Sequence, residues 1–151
     1  MTCKNFSQLP LEISIKNKNL ERLNHDYEFR YYDDESMLNW IFANCDKRTC
    51  EAFLSINPNY GAAKADLFRY LVLNNVGGVY LDVKSSCLVP LDTLISPSDQ
   101  FITSHWMKDD GTIDTDFGRH LSLSRNKLIE YQQWFVISQP RNLLLFDLIY
   151  E

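Results

Sequence analysis

Asn59-Tyr-Gly-Ala-Ala-Lys-Ala-Asp-Leu-Phe-Arg-Tyr-Leu-Val-Leu-Asn-Asn-Val-Gly-Gly-Val-Tyr-Leu-Asp-Val-Lys84 is the stretch on which the reading of this chain turns. It reads as a buried helix, a glycine turn and a short strand. From Gly61 to Val76, apolar residues such as Ala65, Leu67, Phe68, Leu71, Val72 and Leu73 cover nearly every face, which predicts a helix with little surface left for water. Asp66 and Arg69 interrupt that run. They are three residues apart, so they fall on one side of a helix about one turn from each other. Burying either charge alone is costly, so they pair with each other or face a polar cavity that solvates both. Gly77-Gly78 then supplies a left-handed cap and a tight reversal, and Val79-Tyr-Leu-Asp-Val83 reads as an inner strand. A carboxylate at the C-terminal end of such a strand sits where open α/β sheets bind ligands, which makes Asp82 the first candidate site residue.

Working outward, Tyr27, Phe29 and Tyr31 alternate with charged residues between Asp26 and Tyr32, the period-two pattern of a half-buried strand. Asp33-Asp-Glu-Ser follows with an acidic first turn ahead of Met37, Leu38, Ile41 and Phe42, so a helix begins near Asp33 or Asp34 and those two acids read first as caps. Before Asp26 the pattern is open: Ile13 and Ile15 alternate like a strand, whereas Leu20 and Leu23 suit a short helix. Asn57 to Gly61 is a turn that launches the central helix. Downstream, Phe101 to Trp106 reads as a strand, Lys108 to Arg119 as a loop, Tyr131 to Ser138 as a strand or short buried element, and Asn142 to Tyr150 as a helix.

Composition bounds the function. At 151 residues, with 45% hydrophobic and 13% aromatic content, the chain suits a single domain over 1–151. A formal charge of −5 and the lack of any basic run argue against a nucleic-acid partner and leave a small-molecule site as the better expectation. No apolar run approaches a membrane span and no signal peptide is visible, so as given the chain reads as soluble, its compartment unknown. The four cysteines, Cys3, Cys45, Cys50 and Cys87, form no CxxC pair and read as reduced, partly buried thiols.

Three blocks in order, Asp26-Tyr-Glu-Phe-Arg-Tyr-Tyr-Asp-Asp34, Gly61-Ala-Ala-Lys-Ala-Asp-Leu-Phe-Arg-Tyr-Leu71 and Gly77-Gly-Val-Tyr-Leu-Asp82, resemble the DXD-containing, sugar-binding-region glycosyltransferases. That family includes fungal Golgi initiating mannosyltransferases, capsular polysaccharide transferases and, distantly, the glucosylating domains of clostridial toxins. The likeness is tight over a core of about 26–91 and loose beyond Phe101. It implies an α/β fold of the GT-A type, a Rossmann-like domain with a mixed, mainly parallel sheet flanked by helices. It further implies transfer of a hexose from a UDP- or GDP-sugar to a glycan, lipid or protein hydroxyl, with retention of anomeric configuration. A divalent cation, manganese or magnesium, would bridge the donor's phosphates.

Residue by residue, the resemblance implies that Asp66 and Arg69 hold donor-sugar hydroxyls, that Tyr80 lies beside the nucleoside, and that Asp82 is the first aspartate of the DXD, contacting the donor and the metal shell. His105 and Trp106, at the end of a predicted strand, are further candidates for the cleft lining. The chain departs from the family at the second aspartate, which is Lys84. An ammonium has no lone pair for a metal, but as a point charge it can neutralise a diphosphate. Asp82 and Lys84 share strand parity, so they are expected on one side, with Asp82 and Lys84 as the catalytic pair and Asp82 alone as metal ligand. A literal Asp114-Thr-Asp116 follows a loop, not an apolar strand, and reads as a solvated acidic loop. The family's opening strand is not visible, so the chain reads as a short relative. The rival expectations are a degenerate nucleotide- or glycan-binding module, or subunit of a larger transferase, and a purely structural fragment in which Asp66 and Arg69 simply pair.

Overall fold

The computed structural model describes residues 1–2, 6–115 and 130–150. Four helices come first: α1 (Leu11–Leu23), α2 (Asp34–Asn44), α3 (Lys47–Ser55) and α4 (Gly61–Val76). They are followed by β1 (Gly78–Leu81), β2 (Phe101–Ile102), β3 (Phe135–Ser138) and α5 (Leu143–Tyr150), with single 3-10 turns at Phe6–Gln8 and Leu91–Thr93. The ambiguous N-terminal stretch is thus helical: the Leu20 face of α1 is buried, while Ile15 of the alternating pair is half-exposed.

The helix starts follow from their caps. Asp33 accepts from the Ser36 N–H at 2.9 Å while the Ser36 hydroxyl receives the Asp33 N–H at 2.7 Å, a reciprocal box that opens α2. The Ser36 hydroxyl, which donates to Asp33 Oδ1 at 2.5 Å, and then the Ser36 N–H hold the Asp33 carboxyl below the usual carboxylate range. Asp46 caps α3, an element the hydrophobic pattern did not reveal, by accepting from the Thr49 N–H at 2.8 Å.

Helix α4 is where the core meets. Phe68, Leu71 and Val72 pack with Met37 and Ile41 of α2 and Phe53 of α3, and the Phe68 ring takes Tyr32 and Trp40 edge-on at 4.9 and 5.5 Å. One turn further on, Leu73 packs with Tyr80 of β1, Val136 of β3 and Leu145 of α5. The helix is less enclosed than its composition predicts: Gly61, Ala62, Ala63 and Val76 are exposed. At its end Gly77 takes φ +69, and a Cβ there would meet Pro140 Cδ at 2.7 Å, so only glycine fits.

The sheet corrects the expectation of a mainly parallel, Rossmann-like arrangement. Its three strands run in the order β1-β3-β2, and both pairings are antiparallel, Val79 facing Ile137 and Tyr80 facing Val136 in one, Phe101 facing Ser138 in the other. The one parallel pairing among the described residues is an isolated bridge of Thr2 with Tyr32. The chain is of the α/β class with a small antiparallel sheet.

The Asp26–Tyr32 strand is likewise reduced to that bridge. Phe29 and Tyr31 do pack inward, beside Met1, Leu20 and Leu81, as their alternation predicts. Their backbone lacks a ladder beyond Tyr32, because an apolar cleft of about 340 Å³ separates residues 27–32 from β1. Phe101–Trp106 keeps only two residues as strand, continued by isolated bridges at His105 and Met107.

Candidate functional site

A second cleft, about 620 Å³, opens beyond the C-terminal end of β1. Its walls come from three places: the first half of α4 (Gly61, Ala62, Ala65, Asp66, Arg69), the residues leaving β1 (Asp82, Val83, Lys84), and Thr2 with the start of α2 (Asp34, Met37). Pro58 and Asn59, from the turn before α4, complete it. The glycine reversal at Gly77-Gly78 places α4 and β1 side by side, and this brings Asp66, Arg69, Asp82 and Lys84 to one cavity.

Arg69 is the buried centre of the cluster. Its side chain is 5% exposed, whereas those of Asp66 and Asp82 are 50% and 43% exposed. One amino group lies 2.6 Å from Asp66 Oδ1 and 3.8 Å from Asp82 Oδ1, the other donates to the Gln133 carbonyl, and the guanidinium carbon lies 4.8 Å from the Tyr80 ring centre. The predicted helix-face pairing of Asp66 and Arg69 is therefore present, with the arginine buried and the aspartate reaching solvent. Burial pushes the Asp66 carboxyl up, Arg69 pulls it down, and the Asp82 charge adds to the rise.

Tyr80 is buried behind this cluster. Its hydroxyl shares a 2.7 Å bond with Thr2 Oγ1 and donates to Asp82 Oδ1 at 3.0 Å, so the carboxylate is fixed from behind by a phenol. Burial above all pushes the Tyr80 phenol up to about 12, so it remains a donor at neutral pH. Asp82 lies one residue beyond the strand, its N–H bonded to the Trp134 carbonyl at 2.8 Å. Lys84 is exposed on the cleft wall. The N-cap residue of α4, Tyr60, offers no side-chain bond, so the helix start, whose Gly61 and Ala62 line the cleft, has no side-chain cap from that residue.

The remaining candidates separate from this group. His105 stacks on Tyr131 at 4.2 Å between ring centres and bridges it in the sheet extension, and Trp106 accepts the Asp114 N–H at 2.7 Å. Neither lines the cleft. Asp114 is irregular, partly buried backbone next to the Met107–Ile113 bridge, where a solvated loop was the expectation; Asp116, Cys3 and His120 lie outside the described residues. Thr2, Asp34 and Gln133 are additions that sequence reasoning did not single out as site residues. Asp34 reads in sequence as a cap, Thr2 lies far from the motif in sequence, and Gln133 meets Arg69 through a main-chain carbonyl, which leaves no trace in residue type.

A divalent cation fits this donor set poorly. No group of three or more metal-ligating side chains gathers among the described residues. Asp82 stands beside the Arg69 cation, and the position where the second carboxylate would come is Lys84. The cluster instead presents a buried guanidinium, an exposed ammonium and two carboxylates beside the start of α4, a set suited to an anionic, hydroxyl-rich ligand.

Comparison with known proteins agrees with this chemistry. The glycosyltransferase sugar-binding region containing the DXD motif matches residues 11–102. A protein described as "Uncharacterized glycosyltransferase L373", from Acanthamoeba polyphaga mimivirus, is 26% identical over 84 residues, covering 54% of this chain and 32% of that protein. The match thus spans about a third of the relative's length. No solved structure matches significantly.

Proposed function

Since the chain belongs to the family of glycosyltransferase sugar-binding regions containing the DXD motif, we propose that it binds a nucleotide-sugar in the cleft between α4 and the end of β1 and transfers the hexosyl group to an acceptor hydroxyl. The observation that carries this reading is the convergence of Asp66, Arg69, Asp82 and Lys84 on one cavity beyond the C-terminal end of a strand. Asp66 and Asp82 accept from sugar hydroxyls, and Arg69 donates to them. Lys84 and the first turn of α4 take the diphosphate, the helix terminus adding its partial positive charge.

The chemistry follows from those roles. The bond from the anomeric carbon to the phosphate oxygen breaks, a bond to the acceptor oxygen forms, and the acceptor proton leaves with the developing negative charge on the diphosphate. Lys84 stabilises that charge as it appears, which lowers the barrier in the way a metal does elsewhere. Binding in a fixed pose supplies the rest. A UDP- or GDP-hexose is the donor, a glycan, lipid or protein hydroxyl the acceptor, and the family resemblance favours retention.

The test is thermal unfolding with UDP-glucose, UDP-galactose, UDP-N-acetylglucosamine and GDP-mannose, each with manganese and with chelator. Stabilisation that survives chelator and vanishes in Lys84→Ala supports a lysine-based donor site and names the donor. A folded chain that shifts with none of them overturns the reading, and a chain that binds but never turns over is a binding module.

A further inference from the structure

The segment 132–134 leads into β3 and touches the elements that build the inner wall of the cleft. Trp134 accepts at its carbonyl from the Asp82 N–H at 2.8 Å and the Ser85 hydroxyl at 3.4 Å. Gln132 is tied to Ser104 twice, through its N–H at 2.7 Å and its side-chain oxygen at 3.0 Å. Gln133, between them, is held by α4: its carbonyl accepts from Arg69, and its Oε1 accepts the Tyr70 hydroxyl at 2.7 Å.

Arg69 and Tyr70 are consecutive, and consecutive helix positions point about 100° apart. A partner that satisfies both must wrap the helix, and Gln133 does so by offering its main chain to one and its side chain to the other. Burial pushes the Tyr70 phenol up, so it stays protonated and donating at neutral pH. An arginine side chain has many rotamers, and a guanidinium tied down on the side away from the cleft presents its other amino group in one direction only.

We propose that Tyr70 and Gln133 are positioning residues for Arg69: the phenol–amide bond holds the Gln133 carbonyl in place, and that carbonyl aims the guanidinium at Asp66 and Asp82. Neither residue lines the cleft. The consequence for donor binding rests on the function proposed above; the aim of the guanidinium does not.

The test combines arginine side-chain NMR with nucleotide-sugar titration on the full chain, in Tyr70→Phe, Gln133→Ala and Gln133→Glu. Gln133→Glu keeps an oxygen acceptor and is the rescue. In the unaltered protein the Arg69 Nη groups give resolved, slowly rotating signals; these collapse in Tyr70→Phe and Gln133→Ala and return in Gln133→Glu. Unchanged Arg69 signals in both of the first two variants overturn the proposal. Where UDP- or GDP-hexoses bind the unaltered protein, affinity falls about fivefold in Tyr70→Phe at a temperature where both proteins are fully folded, the equivalent of one net hydrogen bond. Collapsed signals with full affinity overturn the donor consequence. Failure of the unaltered protein to bind any donor overturns the proposed function and leaves the Arg69 signals to decide the positioning role.

Discussion

Arg69 of α4 stands 3.8 Å from the Asp82 carboxylate beyond β1 and 2.6 Å from Asp66 on its own helix, one buried cation shared by two half-exposed acids from different elements. The asymmetry decides which substitution is costly. Arg69 has exchanged its hydration for Asp66, Asp82, the Gln133 carbonyl and the Tyr80 ring. The acids keep water on one side.

Arg69→Met is therefore expected to destabilise by about 3 kcal/mol, because it strands the Gln133 carbonyl and removes the cation that both acids face. Asp66→Asn is expected to cost only about 1 kcal/mol, since its side chain is 50% exposed and Arg69 keeps other partners. Urea unfolding of both variants checks this; equal losses would mean that the acid anchors the cluster as much as the guanidinium does.

Lys84→Ala separates binding from stability. The side chain is exposed and carries no structural bond among the described residues, so unfolding free energy is expected to stay within about 0.5 kcal/mol of the original. Stabilisation by a nucleotide-sugar is expected to disappear. A large loss of intrinsic stability, read by the same urea titration, would show that Lys84 is a structural residue.

Tyr80 gives a pH signature. Its phenol is raised from 10.0 to about 12 in the folded chain, chiefly by burial. The folded state thus holds this proton more tightly than the unfolded state, and the stability it confers is complete below pH 10 and is lost as pH climbs through 12. Tyr80→Phe lacks that loss. The stability difference between the two proteins is expected to be flat below about pH 9 and to shrink by about 2 kcal/mol toward pH 12. Chemical unfolding at a series of alkaline pH values measures it, and parallel curves would contradict the burial of the phenol.

Gly77→Ala is expected to cost about 2 kcal/mol or more, from left-handed strain together with the collision with Pro140 and the Ser138 carbonyl at 3.0 Å. Gly78 also has positive φ, 101, but open space around it, so Gly78→Ala carries the strain without the clash and should cost less. The order of the two midpoints in thermal unfolding is the check.

Much of this was legible in the chain itself. The Asp66–Arg69 pair follows from helical spacing, the start of α2 from its acidic first turn, and the reversal that sets β1 beside α4 from two glycines. These depend on interactions within one turn or one reversal, so local sequence suffices. Asp82 and Lys84 do line one cleft, but by a turn and not by the strand parity expected of them: β1 ends at Leu81, and the chain reverses over Val83-Lys84 with the Ser85 N–H bonded to the Asp82 carbonyl at 2.8 Å. Tertiary structure decided what depends on distant partners. It made the sheet antiparallel, because pairing direction is decided by which strands meet in space and not by their apolar content. It left Asp26–Tyr32 almost unpaired, because a strand exists only where a neighbour offers its hydrogen bonds. It buried Arg69 and not Asp66, and it brought the Gln133 carbonyl and Thr2 to the site through contacts that no residue pattern near the motif encodes.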